Sequence, residues 1–154
     1  MAAEMFQDTK TAVDPRQRAM LLTALYIAQE QYGYLTNQAI QRVAERMGMT
    51  PGRVLETASF YSMFRTQPVG RHVIQICEGL SCHLAGGADE LLDYLVDKLE
   101  INPGETTQDG VFSLVTVQCL AACGTSPAIR VNDTLYDNLT LDKVDQILDE
   151  IRGG

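Results

Sequence analysis

The sequence predicts an α+β protein: an N-terminal three-helix unit over residues 15–66, followed by a domain over residues 70–154 built on a mixed sheet. Three observations carry that reading. Cap, proline and glycine signals bracket helix-period apolar stripes between residues 14 and 64. Two β-branched runs, RHVIQI and VFSLVTV, are separated by an amphipathic helical stretch. Two short apolar segments then flank Asn132-Asp133, a hairpin turn, before a last helical stripe.

Taken in order, residues 1–14 are too polar for a signal peptide and too acidic for a typical transit peptide, so they read as a flexible leader. Asp14-Pro15 places an acceptor at a helix cap and proline in the first turn. Leu21, Leu25, Ala28 and Tyr32 follow on one face, and Gly33 supplies the left-handed stop. Thr36 opens a second helix with Ile40, Val43, Ala44 and Met47 inward, ended by Gly48. Thr50-Pro51 opens a third, expected to reach about Phe64, with Phe60, Tyr61 and Phe64 as packing core. Met47, Met49 and Met63 read as core or interface filler.

This unit has the look of a helix-turn-helix, but a fold alone does not confer DNA binding. Its candidate recognition segment offers Arg53 and no further basic residue before Arg65. The chain as a whole carries 12 Lys and Arg against 20 Asp and Glu, a net charge of −8. A nucleic-acid partner needs a basic face, so that class is set aside. The charge is uneven: residues 1–77 hold eight basic against six acidic side chains, residues 78–154 four against fourteen.

Gln67-Pro68-Val69-Gly70 is the expected domain boundary. A strand over His72–Cys77 runs into a loop over Glu78–Gly87. A helix over Ala88–Glu100 turns Leu91, Leu95 and Leu99 toward a sheet, with Asp89 and Glu90 favourable to its dipole. After Asn102-Pro103-Gly104, a second strand covers Val111–Val117, a loop Cys119–Pro127, short strands 128–131 and 134–136, and a helix capped by Thr140. The β-α-β-β-β-α order predicts parallel pairing of the first two strands through a helical crossover. A mixed sheet with helices packed on it is the thioredoxin-like layout.

The four cysteines form two pairs, Cys77-x4-Cys82 and Cys119-x3-Cys123, each directly after one of the first two strands. Adjacent strands would deliver four sulfurs to one edge, and thiolates gathered at one point are a metal site. A pair of disulfides is disfavoured by the absence of a secretory signal. Spacing alone leaves structural zinc and iron–sulfur nearly even, and it matches neither of two common ferredoxin patterns. Neither pair is Cys-x-x-Cys, against a thiol–disulfide oxidoreductase. No Gly-rich nucleotide loop is present. His83 beside Cys82 and the distant His72 make a poor Rieske pair, which needs two histidines on one iron.

The segments ASFYSMFRTQPVGRHVIQICEGLSCHLAGG and QCLAACGTSPAIRVNDTLYDNLTLDKVDQIL resemble the thioredoxin-like [2Fe-2S] ferredoxin subunit of respiratory NADH dehydrogenase, also called NADH:quinone oxidoreductase or complex I. In that complex it is known as the 24-kDa subunit. Relatives occur in NAD-linked hydrogenases and formate dehydrogenases. The resemblance covers roughly residues 15–150. It implies that Cys77, Cys82, Cys119 and Cys123 ligate a [2Fe-2S] cluster, and that Gly79, Pro127 and Val131-Asn132-Asp133 shape the surrounding loops. Pro127 is expected to be the cis-proline of such folds. Proximity assigns Cys77 and Cys82 to one iron, Cys119 and Cys123 to the other.

The resemblance also implies an electron-carrier subunit without a complete active site of its own. Its partners would be a flavoprotein subunit holding FMN and NADH, together with further iron–sulfur subunits. No run approaches the roughly 20 apolar residues of a membrane span. The expected location is cytoplasmic, with attachment to the inner face of the cell membrane only through the complex. A zinc-stabilised interaction domain is the alternative from another functional class.

Overall fold

The computed structural model describes residues 15–84 and 87–153, with side chains from residue 19 onward. The expected leader and the Asp14 cap lie outside the described residues. The chain divides into two compact units between Pro68 and Val69.

The first unit holds α1 (Pro15–Tyr32), α2 (Asn37–Met47) and α3 (Pro51–Phe60). Thr36 Oγ1 accepts from Ala39 N at the start of α2, and Gly48, at φ +61, closes it. Thr50 caps α3 in the same way, with Pro51 in the first turn. Leu21, Leu25 and Ala28 of α1 pack on Ile40, Val43, Ala44 and Met47 of α2 and on Val54 and Ala58 of α3.

Three expectations for this unit fail. α3 ends at Phe60, because the next backbone groups have other partners. Gln29 Oε1 accepts from Arg65 N, and Gln29 Nε2 donates to Met63 O. Tyr61 is consequently extended, and Phe64 enters the core from a turn rather than from the helix. Phe60 is not core at all: it is 80% exposed, lying edge-on to Tyr61. Tyr32 also faces outward, where its hydroxyl accepts from Arg42 at 2.7 Å.

The second unit contains β1 (His72–Cys77), α4 (Leu80–Leu84), α5 (Ala88–Leu99), β2 (Phe112–Val117), β3 (Ile129–Val131), β4 (Thr134–Tyr136) and α6 (Leu141–Gly153). α4 was expected as loop. The sheet order is β2-β1-β3-β4. β1 and β2 are parallel, with Cys77 opposite Val117; the other pairs are antiparallel. The mixed α+β sheet is therefore as expected. Asn132 turns the β3–β4 hairpin at φ +51. Its side chain accepts from Val73 N at 3.0 Å and so ties the hairpin to β1.

Alternation along the strands puts Ile74, Ile76, Phe112, Leu114, Ile129 and Val131 into one core. Leu91, Leu95 and Leu99 of α5 and Val144, Ile147 and Leu148 of α6 cover it. Each such leucine or isoleucine contributes about 1.5–3 kcal/mol by leaving water. This core anchors the strand ends from which the cysteine loops leave. Among the described residues, no helix is long and apolar enough to cross a membrane.

Candidate metal centre

β1 and β2 run side by side and end at the same edge, so both cysteine segments start there. Glu78 N donates to Val117 O at 2.8 Å, and Cys77 N to Ala128 O at 3.4 Å. Cys77 is thus wedged between the exit of β2 and the entry to β3. The single turn of α4 then carries Cys82 back inward, and both sulfurs are buried with Ala88 and Leu120.

Gly79 permits this return. A Cβ there would sit 3.0 Å from Gln118 O and 3.3 Å from Cys77 Sγ, so any side chain would press on the neighbouring loop and on the sulfur. Gly87 plays the same part at the start of α5, where a Cβ would fall 2.4 Å from the Pro127 ring. The Ser126–Pro127 bond is cis, as the resemblance implied.

On the second segment, Ala121 takes the left-handed conformation at φ +58, and its N–H donates to Cys119 Sγ at 3.3 Å. Cys123 begins a turn of 3-10 helix. Ser126 Oγ donates to the Cys123 carbonyl at 3.2 Å and lies 3.4 Å from Cys82 Sγ. Ser126 thus touches both segments. Sequence reasoning did not single it out, and its position before Pro127 was the one available signal.

The two buried thiols are differentiated. Burial opposes the charged form of Cys77, but N–H groups of Gly79 and Leu120, with the Cys82 thiol, outweigh it and hold its pKa below the usual thiol value. Burial pushes the Cys82 thiol up, and the neighbouring Cys77 sulfur adds to that shift. Of the two, Cys77 is therefore the more readily ionised.

Cys119 and Cys123 are exposed, and all four cysteines are free. The loops are brought together, but the four sulfurs do not converge into a ready cage. Among the described residues, no three His, Cys, Asp or Glu side chains are close enough to hold a metal ion. Thiolate cages of this kind are drawn together by the metal they bind. The donor set is nevertheless all sulfur, and backbone N–H groups face Cys77 and Cys119. That chemistry suits zinc or an iron–sulfur group and disfavours hard cations. His83 pairs with Asp89 at 3.0 Å on the surface, and His72 stands at the opposite end of β1 from Cys77. A Rieske-type pair is not formed.

Residues 6–152 match the profile of the thioredoxin-like [2Fe-2S] ferredoxin family. The chain belongs to this family. Membership makes the cofactor a [2Fe-2S] cluster and removes the ambiguity with zinc that spacing left open. Among its relatives is a subunit of the NADH-quinone oxidoreductase of Rhizobium meliloti (strain 1021). That protein is 40% identical over 138 residues, covering 90% of this chain and 82% of the relative. NADH-quinone oxidoreductase subunit 2 of Thermus thermophilus is 41% identical over 139 residues, covering 90% of this chain and 76% of the relative. Among solved structures, a chain of an NAD+-reducing [NiFe]-hydrogenase in the H2-reduced state superposes with a TM-score of 0.74 at 25% identity. That match takes in 84% of this chain but 22% of the hydrogenase chain. The ferredoxin relatives are thus named as subunits of oxidoreductase complexes.

Proposed function

We propose that this chain is the [2Fe-2S] electron-transfer subunit of an NADH:quinone oxidoreductase, exchanging single electrons with the FMN of a partner flavoprotein subunit. The observation that carries it is the shared edge: the parallel β1–β2 pair sets Cys77 opposite Val117, two residues before Cys119. Cys77 and Cys82 from the segment after β1, and Cys119 and Cys123 from the segment after β2, would hold the cluster. The cluster supplies a one-electron couple when bound. The chain's own residues do the rest. Burial of Cys77 and Cys82 keeps water from those two sulfurs. The N–H groups of Gly79, Leu120 and Ala121 stabilise negative charge on the sulfurs. NADH and FMN belong to the partner in this reading.

The test is anaerobic purification followed by iron and sulfide analysis and EPR of the dithionite-reduced protein. Equal iron and sulfide with a [2Fe-2S] signal is the expected result, and Cys119→Ser should abolish or shift that signal. A colourless protein with one bound zinc would sink the proposal. The hydrogenase superposition supports a second reading, the equivalent subunit of an NAD-linked hydrogenase. The higher identity to quinone-reductase subunits favours the first. Co-purification with a quinone-reducing or a hydrogenase module distinguishes them.

A further inference from the structure

α4 turns Cys82 inward and leaves two leucines outside. Leu80 is 72% exposed and Leu84 74%. At i and i+4 they share one side of the helix, about 200° around from Cys82 between them. They are the most exposed large apolar side chains described in the second unit. α4 has only five residues, too short to be stable without neighbours, and among the described residues neither leucine joins an apolar cluster of the unit. Carboxylates flank them: Glu78 before α4, and Asp89 and Glu90 in the first turn of α5, all exposed. Cys119 and Cys123 are exposed on the adjoining segment, which meets α4 where Cys82 approaches Ser126.

We propose that Leu80 and Leu84 are the apolar anchors on which the electron-exchanging flavoprotein partner docks. That partner would present an apolar socket bordered by Lys or Arg opposite Glu78, Asp89 and Glu90. The proposal rests on the electron-carrier reading above. Electron exchange requires close approach to the sulfur-bearing edge, and α4 is its outer wall. Buried apolar anchors at the centre of an interface carry most of its affinity and exclude water. A complementary charged rim sets encounter rate and specificity.

The experiment uses the full-length chain and the purified FMN-binding NADH dehydrogenase subunit of the same host. EPR of the wild-type chain comes first; absence of a [2Fe-2S] signal would overturn the electron-carrier reading and this proposal with it. With the signal present, Leu80→Ser/Leu84→Ser should keep it and weaken binding of the flavoprotein at least tenfold. Leu135→Ser, at an exposed apolar position on β4, should leave binding unchanged. Affinity within twofold of wild type for the double variant would overturn the docking proposal alone. If the double variant loses its cluster, hydrogen exchange on the wild-type chain decides. Amides 80–84 should gain protection when the flavoprotein is added, and unchanged exchange there overturns the proposal. A wild-type homodimer dispersed by the double variant in sedimentation would assign the patch to a second copy and overturn it as well.

Discussion

Gly87 shows what one absent Cβ does at this site. Its φ is −112, so backbone conformation does not demand glycine; the Pro127 ring does. Gly87→Ala should destabilise the protein by about 1–3 kcal/mol through overpacking. Urea unfolding checks this, and an unchanged midpoint would show that the Pro127 segment yields freely. Glu78 acts in another way. Its carboxylate works against negative charge on Cys77, so Glu78→Gln should raise the midpoint potential of the cluster. A redox titration followed by EPR that finds it unchanged or lower would refute that. The cysteines and Gly79 were legible at this scale because their chemistry is local to the sequence. Ser126, the approach of the Pro127 ring to Gly87 and the outward turn of Phe60 were not, because each depends on a neighbour distant along the chain.

At the scale of elements, α5 and α6 are clasped by three side chains. Tyr94 donates to Asp145, and Lys98 Nζ lies 3.0 Å from the same carboxylate. The hydrogen bond from Tyr94, then that from Lys98, holds the Asp145 pKa below its ordinary value. The same contact with Asp145 raises both Tyr94 and Lys98. For Asp145 the folded value is depressed, so its contribution is present above the ordinary carboxylate value of about 4 and is lost as pH falls through the lower folded one. For Tyr94 and Lys98 the folded values are raised, so theirs is present below about 10 and is lost as pH rises through the folded values. Asp145→Asn should therefore flatten the stability profile at both extremes, as read by urea unfolding from pH 3 to pH 11. A profile parallel to wild type at both ends would discount the clasp. Helix starts were readable from Thr36, Thr50 and Thr140, whose caps act within three residues. The end of α3 was not, since Gln29 on another helix supplies the competing hydrogen bonds.

At the scale of the whole molecule, metal loading and folding should be linked. A group bound by the native loops and not by the unfolded chain adds stability by mass action. Stripping iron with an anaerobic chelator should lower the melting temperature and raise hydrogen exchange first in residues 77–82 and 119–127, while the α5–α6 core keeps its protection. Equal melting temperatures before and after would show that the loops are held without the cluster. By itself the sequence determined the α+β order, the parallel β1–β2 pairing and the four candidate ligands. Strand and helix periodicity, caps and cysteine spacing are short-range signals that act before any tertiary contact forms. Tertiary structure alone decided that Cys77 and Cys82 are buried while Cys119 and Cys123 face solvent, and that α4 exposes Leu80 and Leu84. Burial is a property of what lies across the space from a residue, and a linear chain does not state its neighbours in space.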